Sequence, residues 1–148
     1  MLGFGDKAVE LIKMITPIEH SKVKDAANKY KVEPYVISAD IYGSGNLAGR
    51  GGWTWYTGSS SWYYKAGVEY ILGLKVKNGV LSINPCIPND WTKYNIKYKW
   101  KNSYYNIKVI NENGKKSGVE KVVFDGKVVE NSIILDGSGK VFNIEIYM

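Results

Sequence analysis

Residues 74–83 read LKVKNGVLSI, and within this stretch the spacing of apolar side chains changes from a helical to a strand-like period. Apolar and polar residues alternate on both sides of Asn78-Gly79, a dipeptide that accepts the positive φ angles of a two-residue turn. The stretch therefore predicts a β-hairpin. Because the chain is helical in pattern before it and strand-like after it, we divide the chain into residues 1–74 and residues 75–148.

Upstream of the hairpin, apolar residues recur at helical spacing. This spacing predicts a helix over residues 6–15, which ends before Thr16-Pro17 because the residue before a proline disfavours helical geometry. A weaker pattern predicts a second helix over residues 22–31. A third is expected from Thr57-Gly58 to about Gly73, with Trp62 on an apolar stripe that we assign to the core.

Downstream of the hairpin, short alternating segments follow one another between turn signals. Strands are predicted at residues 94–101, 105–109, 119–124, 128–135 and 141–147. The lysines of the first of these strands form its solvent face. Helices followed by strands indicate an α+β fold whose C-terminal part is an antiparallel two-layer β-sandwich.

Composition limits the classes of function. The chain has 148 residues and no apolar run that approaches the about 20 residues needed to span a bilayer. Its N-terminus lacks the cleavage site of a secretion signal, so we expect a cytoplasmic protein with no membrane partner. The net charge is +6, but the lysines are scattered, so we expect no nucleic-acid partner and keep binding through the strand lysines as a minor alternative.

Neither cysteine nor histidine chemistry is expected. Cys86 is the only cysteine, and we predict a buried thiol with no disulfide or metal role. His20 has no second histidine to form a metal site with it. A hydrogen-bonded structural role for His20 is favoured over a role as a general base.

Residues 49–62, GRGGWTWYTGSSSW, contain the candidate functional residues. If a helix begins at Thr57, its first amides lack intrahelical partners and attract an anion, and Gly58 allows a close approach; an ordinary helix cap is the alternative. Aromatic faces suit sugar rings, although core packing is the alternative. Arg50 can bind an anion through charge-assisted hydrogen bonds, or it can form an ion pair with an acid such as Asp40. The residues alone predict a surface for a sugar or an anion.

Several short motifs occur together between residues 16 and 91. They are TPIEH at 16–20, EPYV at 33–36, ADIY at 39–42, GRGGWTWYTGS at 49–59 with Trp62, Gly73-Leu74, and INPCIP at 83–88 with Trp91. Together they resemble the C-terminal end of the cellobiose phosphorylase family, glycoside hydrolase family ninety-four, formerly glycosyltransferase family thirty-six. The resemblance is closest to its cyclic β-1,2-glucan synthase branch and extends to about Asn111.

The resemblance implies both a fold and a chemistry. In this family an (α/α)6 barrel precedes a two-layer β-sandwich, which makes residues 1–74 the terminal helices of a truncated catalytic barrel and residues 75–148 the C-terminal sandwich. The chemistry is inverting phosphorolysis, in which inorganic phosphate attacks a β-glucoside as co-substrate and no cofactor takes part. The family's phosphate-binding threonine and glycine fall on Thr57 and Gly58. We add Ser59 to the phosphate site and Arg50, Trp53 and Tyr56 to the sugar site.

The general-acid aspartate of this family lies upstream of the part that corresponds to Met1, as do its phosphate-binding histidine and arginine. We therefore assign no catalytic residue and expect a fragment that is inactive alone. Its expected ligands are phosphate and a β-linked glucose oligosaccharide, and its expected protein partner is an N-terminal barrel fragment or a second copy. A stand-alone carbohydrate-binding sandwich is the alternative.

Overall fold

The computed structural model describes residues 2–55 and 57–148, with the Thr57 side chain outside the description. Chain contacts divide these residues into two compact units. One unit contains the residues up to Val9 together with Val68–Met148, and the other is Glu10–Gly67. The division into domains of residues 1–74 and 75–148 stays a prediction.

The helices precede the strands, as the sequence predicts. They are α1 (Gly5–Ile15), α2 (Pro17–His20), α3 (Lys24–Tyr30), a 3₁₀ turn (Gly45–Leu47) and α4 (Thr57–Lys65), which continues into a π-helical segment (Ala66–Ile71). The short α2 starts on Pro17, where the missing N–H of proline leaves no intrahelical bond unmade. Within residues 2–55 and 57–148, no helix is long and apolar enough to cross a membrane.

The hairpin forms where the sequence predicts it. Strand β1 (Leu74–Lys77) pairs antiparallel with β2 (Val80–Ile83). The turn residues Asn78 and Gly79 have φ angles of 53° and 75°, so both central positions are left-handed as this turn requires. Strand β7 (Ile133–Ile134) adds to β2 and completes a three-stranded sheet in the order β1-β2-β7.

The remaining strands form a five-stranded sheet in the order β3-β4-β8-β5-β6. Its strands are β3 (Lys93–Trp100), β4 (Ser103–Ile110), β5 (Lys121–Phe124), β6 (Lys127–Val129) and β8 (Val141–Tyr147). Strands β4 and β8 run parallel, whereas the other neighbouring pairs are antiparallel. The predicted α+β class with a sandwich-like C-terminal region is confirmed.

One predicted strand is divided between the two sheets. Residues 128–135 were expected to form a single strand, but the chain turns after β6 and joins β2 as β7. The side chain of Asn131 lies at this change of sheet and bonds to the end of β2. Its Oδ1 accepts from the Ile83 amide at 2.9 Å and its Nδ2 donates to the Ile83 carbonyl at 2.7 Å, which imitates a strand neighbour at the end of β2.

The core of the unit that contains Val68–Met148 is built mainly from alternating strand positions. Its most buried side chains, each at most 1% exposed, are Leu81, Ile83, Ile87, Tyr105, Ile107, Val109, Ile144 and Ile146. The Tyr105 hydroxyl donates to the Asp136 carbonyl and accepts from the Asp136 amide. Burial raises the pKa of this hydroxyl. Cys86 is buried, as predicted.

The unit Glu10–Gly67 has a smaller core, and Trp62, which we expected in that core, is not part of it. Tyr30, Val36 and Ile37 are buried, but Trp62 is 52% exposed, so its assignment to the core is wrong. An apolar stripe is buried only where another element packs on it. Among the described residues, no element packs on Trp62 closely enough to bury it.

Candidate functional site

The glycine-rich loop is held by a short backbone ladder inside the unit Glu10–Gly67. Residues 39–42 run antiparallel to residues 49–53, with a bridge between Ile41 and Gly51. The hydrogen bonds are Ala39 N to Trp53 O at 2.7 Å, Gly52 N to Asp40 O at 2.9 Å, Tyr42 N to Arg50 O at 2.9 Å and Gly49 N to Tyr42 O at 2.7 Å. The ladder therefore fixes the backbone that carries Arg50 and Trp53.

Two glycines of the ladder are required by close packing. The Gly51 amide donates to the Tyr30 carbonyl at 2.9 Å, and a β-carbon on Gly51 would overlap the Val32 side chain and crowd the Tyr30 ring. A β-carbon on Gly52 would overlap the carboxylate of Asp40. Gly51 lets the ladder lie against the end of α3, and Gly52 lets the two sides of the ladder approach each other.

Beside the ladder, the buried Tyr30 is stacked on the half-buried His20. Tyr30 is 1% exposed, and its hydroxyl lies 3.1 Å from the Ser38 hydroxyl. Its ring stacks on His20 with a centroid separation of 4.7 Å and an interplanar angle of 19°. His20 Nε2 lies 2.8 Å from the Met14 carbonyl, to which it donates. These contacts agree with the structural role favoured for His20.

The aromatic side chains after the ladder face solvent. Trp53 is 72% exposed and Trp55 65%. Trp55 has a φ of +64°, an unusual backbone conformation for so bulky a side chain. Its ring meets Tyr35 edge to face at 6.3 Å and 65°. Sequence reasoning did not select this pair; the available signal was the Glu33-Pro34 turn, which favours a surface position for the following residue.

The next element, α4, begins at Thr57, so the predicted helix start is in place. The amides of the first turn of a helix have no intrahelical acceptor and form its positive end. Gly58 is exposed, with open space where a β-carbon would sit, and Ser59 is half-buried. No acceptor outside α4 is found for the amides of Gly58 and Ser59 among residues 2–55 and 57–148. Tyr56 lies outside the described residues.

The described candidates therefore lie in one unit and close together along the chain, between Arg50 and Ser59. Arg50 is exposed, and within the described part of the chain it forms no ion pair with Asp40, whose carboxylate lies against Gly52. Glu19, in α2, is paired with a lysine. Lys22 hydrogen-bonds Glu19 at 2.6 Å and lowers the pKa of that carboxyl.

The described residues do not form a metal site. They include no group of three or more His, Cys, Asp or Glu side chains that could hold a metal ion. The arrangement instead offers a cationic side chain, exposed aromatic faces and the positive end of a helix. Such groups can contact an anion and a sugar ring at neighbouring positions.

Comparison with known families assigns the two parts of the chain to carbohydrate-active enzymes. Residues 1–73 match the family described as glycosyl hydrolase 94 superfamily, catalytic domain. Residues 74–117 match glycosyl hydrolase family 65, C-terminal domain. Both matching families are described as glycosyl hydrolases. Residues 1–73 thus belong to the glycosyl hydrolase 94 superfamily.

Curated relatives align with most of the chain. It is 42% identical to the cyclic β-(1,2)-glucan synthase NdvB of Rhizobium meliloti over 86% of its length, which is 4% of that protein. It is 32% identical to the N,N′-diacetylchitobiose phosphorylase of Vibrio furnissii over 87% of its length, and 27% identical to the solabiose phosphorylase of Paenibacillus borealis over 99%. These alignments span 16% and 19% of the two phosphorylases.

Proposed function

We propose that this chain supplies one wall of a phosphorolytic site in an enzyme that acts on β-linked glucosides. Inorganic phosphate is a co-substrate in this proposal, and no cofactor is needed. The family match supports the enzyme class, and two relatives that are phosphorylases support the reaction type. The observation that carries the proposal is the open first turn of α4, with Gly58 facing empty space.

The first turn of α4 is proposed to hold the phosphate. The amides of Gly58 and Ser59 donate to phosphate oxygens, and the Thr57 hydroxyl adds a further donor. A helix start favours an anion by about 0.3–1 kcal/mol at an exposed site. The turn therefore orients the phosphate, while cationic side chains must supply most of the binding free energy. An uncrowded Gly58 matters because a larger side chain would keep the ligand away from the backbone.

The sugar is proposed to lie next to the phosphate, against Trp53 and Tyr56. A pyranose ring presents apolar C–H groups that pack on an aromatic face, and Trp53 has an exposed ring on a backbone fixed by the ladder. Arg50, exposed on the same ladder, can donate two parallel hydrogen bonds to sugar hydroxyls or to a phosphate oxygen pair.

The proton donor is proposed to lie on another stretch of polypeptide. In an inverting reaction with phosphate as nucleophile, phosphate replaces the activated water and its base, so one acidic side chain suffices. We assign that acid to the N-terminal part of a catalytic domain, which would pack on this chain, and we expect no turnover from residues 1–148 alone. A second copy is the other partner considered. The cytoplasmic location expected from the sequence also stays a prediction.

Isothermal titration calorimetry tests this proposal. The chain is titrated with inorganic phosphate, with α-glucose 1-phosphate and with β-linked glucose oligosaccharides. We expect phosphate and glucose 1-phosphate to bind, Thr57→Ala to weaken both, and Ser61→Ala, which removes an exposed hydroxyl one turn further along α4, to change neither. Phosphate binding that is equal in Thr57→Ala and the wild type would contradict the proposal.

A further inference from the structure

A shallow trough crosses the outer face of the five-stranded sheet, in the unit that ends at Met148. Its volume is about 420 Å³, and it runs across β3, β4 and β8. The trough lies on the polar face of the sheet, opposite the buried side chains of Tyr105, Ile107 and Val109. No residue of the proposed phosphate or sugar site lines it.

Two rows of polar side chains form its floor. Strand pairing aligns Asn95 with Lys108 and Glu145 in one row, and Lys97 with Asn106 and Asn143 in the next. Asn106 Nδ2 donates to Asn143 Oδ1 at 3.3 Å, which leaves further donors and acceptors of both amides directed to solvent. The floor therefore combines three amide groups with two lysines and one carboxylate.

The rows on either side of the floor carry longer side chains. The row on one side contains Lys99 and Tyr104, whose ammonium and ring are 5.6 Å apart. The row on the other side contains Tyr147, whose hydroxyl donates to Glu145 at 2.9 Å. Short asparagine side chains thus lie in the two central rows, and tyrosines lie in the rows beside them.

Asparagine in these positions is not explained by strand formation. Asparagine is depleted in β-strands, whereas threonine, valine and tyrosine serve a solvated strand face better. Three asparagines nevertheless occupy the middle of three neighbouring strands. Departures from local preference that nothing in the fold requires are concentrated at functional sites. Planar amides that donate and accept at once match the vicinal hydroxyls of a sugar.

We propose that this trough binds a segment of a neutral β-linked glucan, at a site separate from the first turn of α4. The amides of Asn106 and Asn143 contact sugar hydroxyls, and the Tyr104 ring, 47% exposed, borders the chain of sugars. Lys97, Lys108 and Glu145 all line the trough, so its charges are of mixed sign and form no continuous positive track for a phosphate polymer. The lysines of the neighbouring rows, Lys99 and Lys121, lie over tyrosine rings.

The test uses the full chain and soluble β-1,2-linked glucose oligosaccharides or cellohexaose as probes. Binding is measured by calorimetry for the wild type, Asn106→Ala and Asn143→Ala. Asn106→Thr repeats the first change with a residue that favours strands, so that loss of folding is separated from loss of contact. Asn113→Ala, which removes the same amide from an exposed turn of the same unit, is the matched control.

We expect each trough alanine variant to bind about three- to tenfold more weakly, which corresponds to one or two lost hydrogen bonds. Asn106→Thr should fold and bind weakly, while Asn113→Ala should bind the glucan as the wild type does. Unaffected binding in the trough variants would overturn the proposal, as would the absence of glucan binding to the wild type. Salt-sensitive binding of an oligonucleotide in place of the glucan would also overturn it. Because phosphate binding at Thr57 is measured separately, either proposal can fail without the other.

Discussion

Gly73 and Asn84 lie in backbone contact at the junction between the helical segment and the first hairpin. The Asn84 amide donates to the Gly73 carbonyl at 2.9 Å, and the Asn84 carbonyl occupies the space that a β-carbon on Gly73 would need. Gly73 also has a φ of +77°, which only glycine adopts without strain. The end of the π segment is thus fixed to the end of β2 by two residues that both belong to the family motifs.

Replacement of Gly73 by alanine should destabilise the fold. The added methyl meets backbone atoms that cannot rotate away, and the left-handed φ adds strain, so we expect a loss of at least about 2 kcal/mol in unfolding free energy. Chemical denaturation measures this loss. Gly43→Ala is the matched control, since nothing lies within 4 Å of its added β-carbon. Equal effects of the two changes would refute the packing argument.

Asn131 should contribute to stability through the bonds it makes to Ile83. Asn131→Ala removes both and leaves the amide and carbonyl at the end of β2 without these partners, so we expect a cost of about 1–3 kcal/mol. Thermal unfolding of Asn131→Ala is compared with that of Asn113→Ala, whose amide lies in an exposed turn. A variant as stable as its control would show that β7 joins β2 without this side chain.

Asp6 should make stability depend on pH in the acid range. Its carboxylate pairs with Lys116 and accepts from the Asn89 amide at 3.2 Å, and these contacts hold its pKa below the usual 3.8. Because the folded pKa is lowered, the contribution is complete above pH 3.8 and disappears as pH falls through the folded pKa.

Melting temperatures of the wild type and Asp6→Asn test this dependence. The wild type should melt higher at neutral pH, and the difference should shrink below pH 3.8. Asp90→Asn, which removes a nearby exposed carboxyl, should show a smaller difference at neutral pH. A difference for Asp6→Asn that stays constant down to pH 2 would exclude the ion pair as its source.

The exposed aromatic residues of α4 should promote association. Trp62 is 52% exposed and Tyr64 71%, and a helix with such residues on its surface is expected to bury them against a partner. We expect light scattering to show a mass above that of the monomer, which rises with concentration and falls in the double variant Trp62→Gln, Tyr64→Gln. Ser60→Ala on the same helix is the control. A monomer at every concentration would contradict this expectation.

Local patterns predicted the elements well. The Asn78-Gly79 turn, the helix before Thr16-Pro17 and the alternation along β3 depend on neighbouring residues alone, and each is confirmed. The split of residues 128–135 was missed because it depends on a contact between Asn131 and Ile83, which are distant in sequence.

The candidate site was predicted less completely. The helix start at Thr57 follows from local cap chemistry, and the exposure of Trp53 agrees with a binding role. The exposure of Trp62 could not be predicted, because an apolar stripe does not reveal whether an element covers it. Neither the Tyr35–Trp55 contact nor the asparagine trough was predicted, because each brings together residues from separate segments.

The central claim is that the first turn of α4 receives phosphate, and amide-resolved NMR tests it most directly. Inorganic phosphate is titrated into the labelled chain at constant ionic strength, with chloride as the reference anion. The account predicts saturable shifts that are largest for the amides of Gly58 and Ser59 and that diminish in Thr57→Ala. Shifts confined to the lysine-rich face of the five-stranded sheet, with Gly58 and Ser59 unmoved, would contradict it.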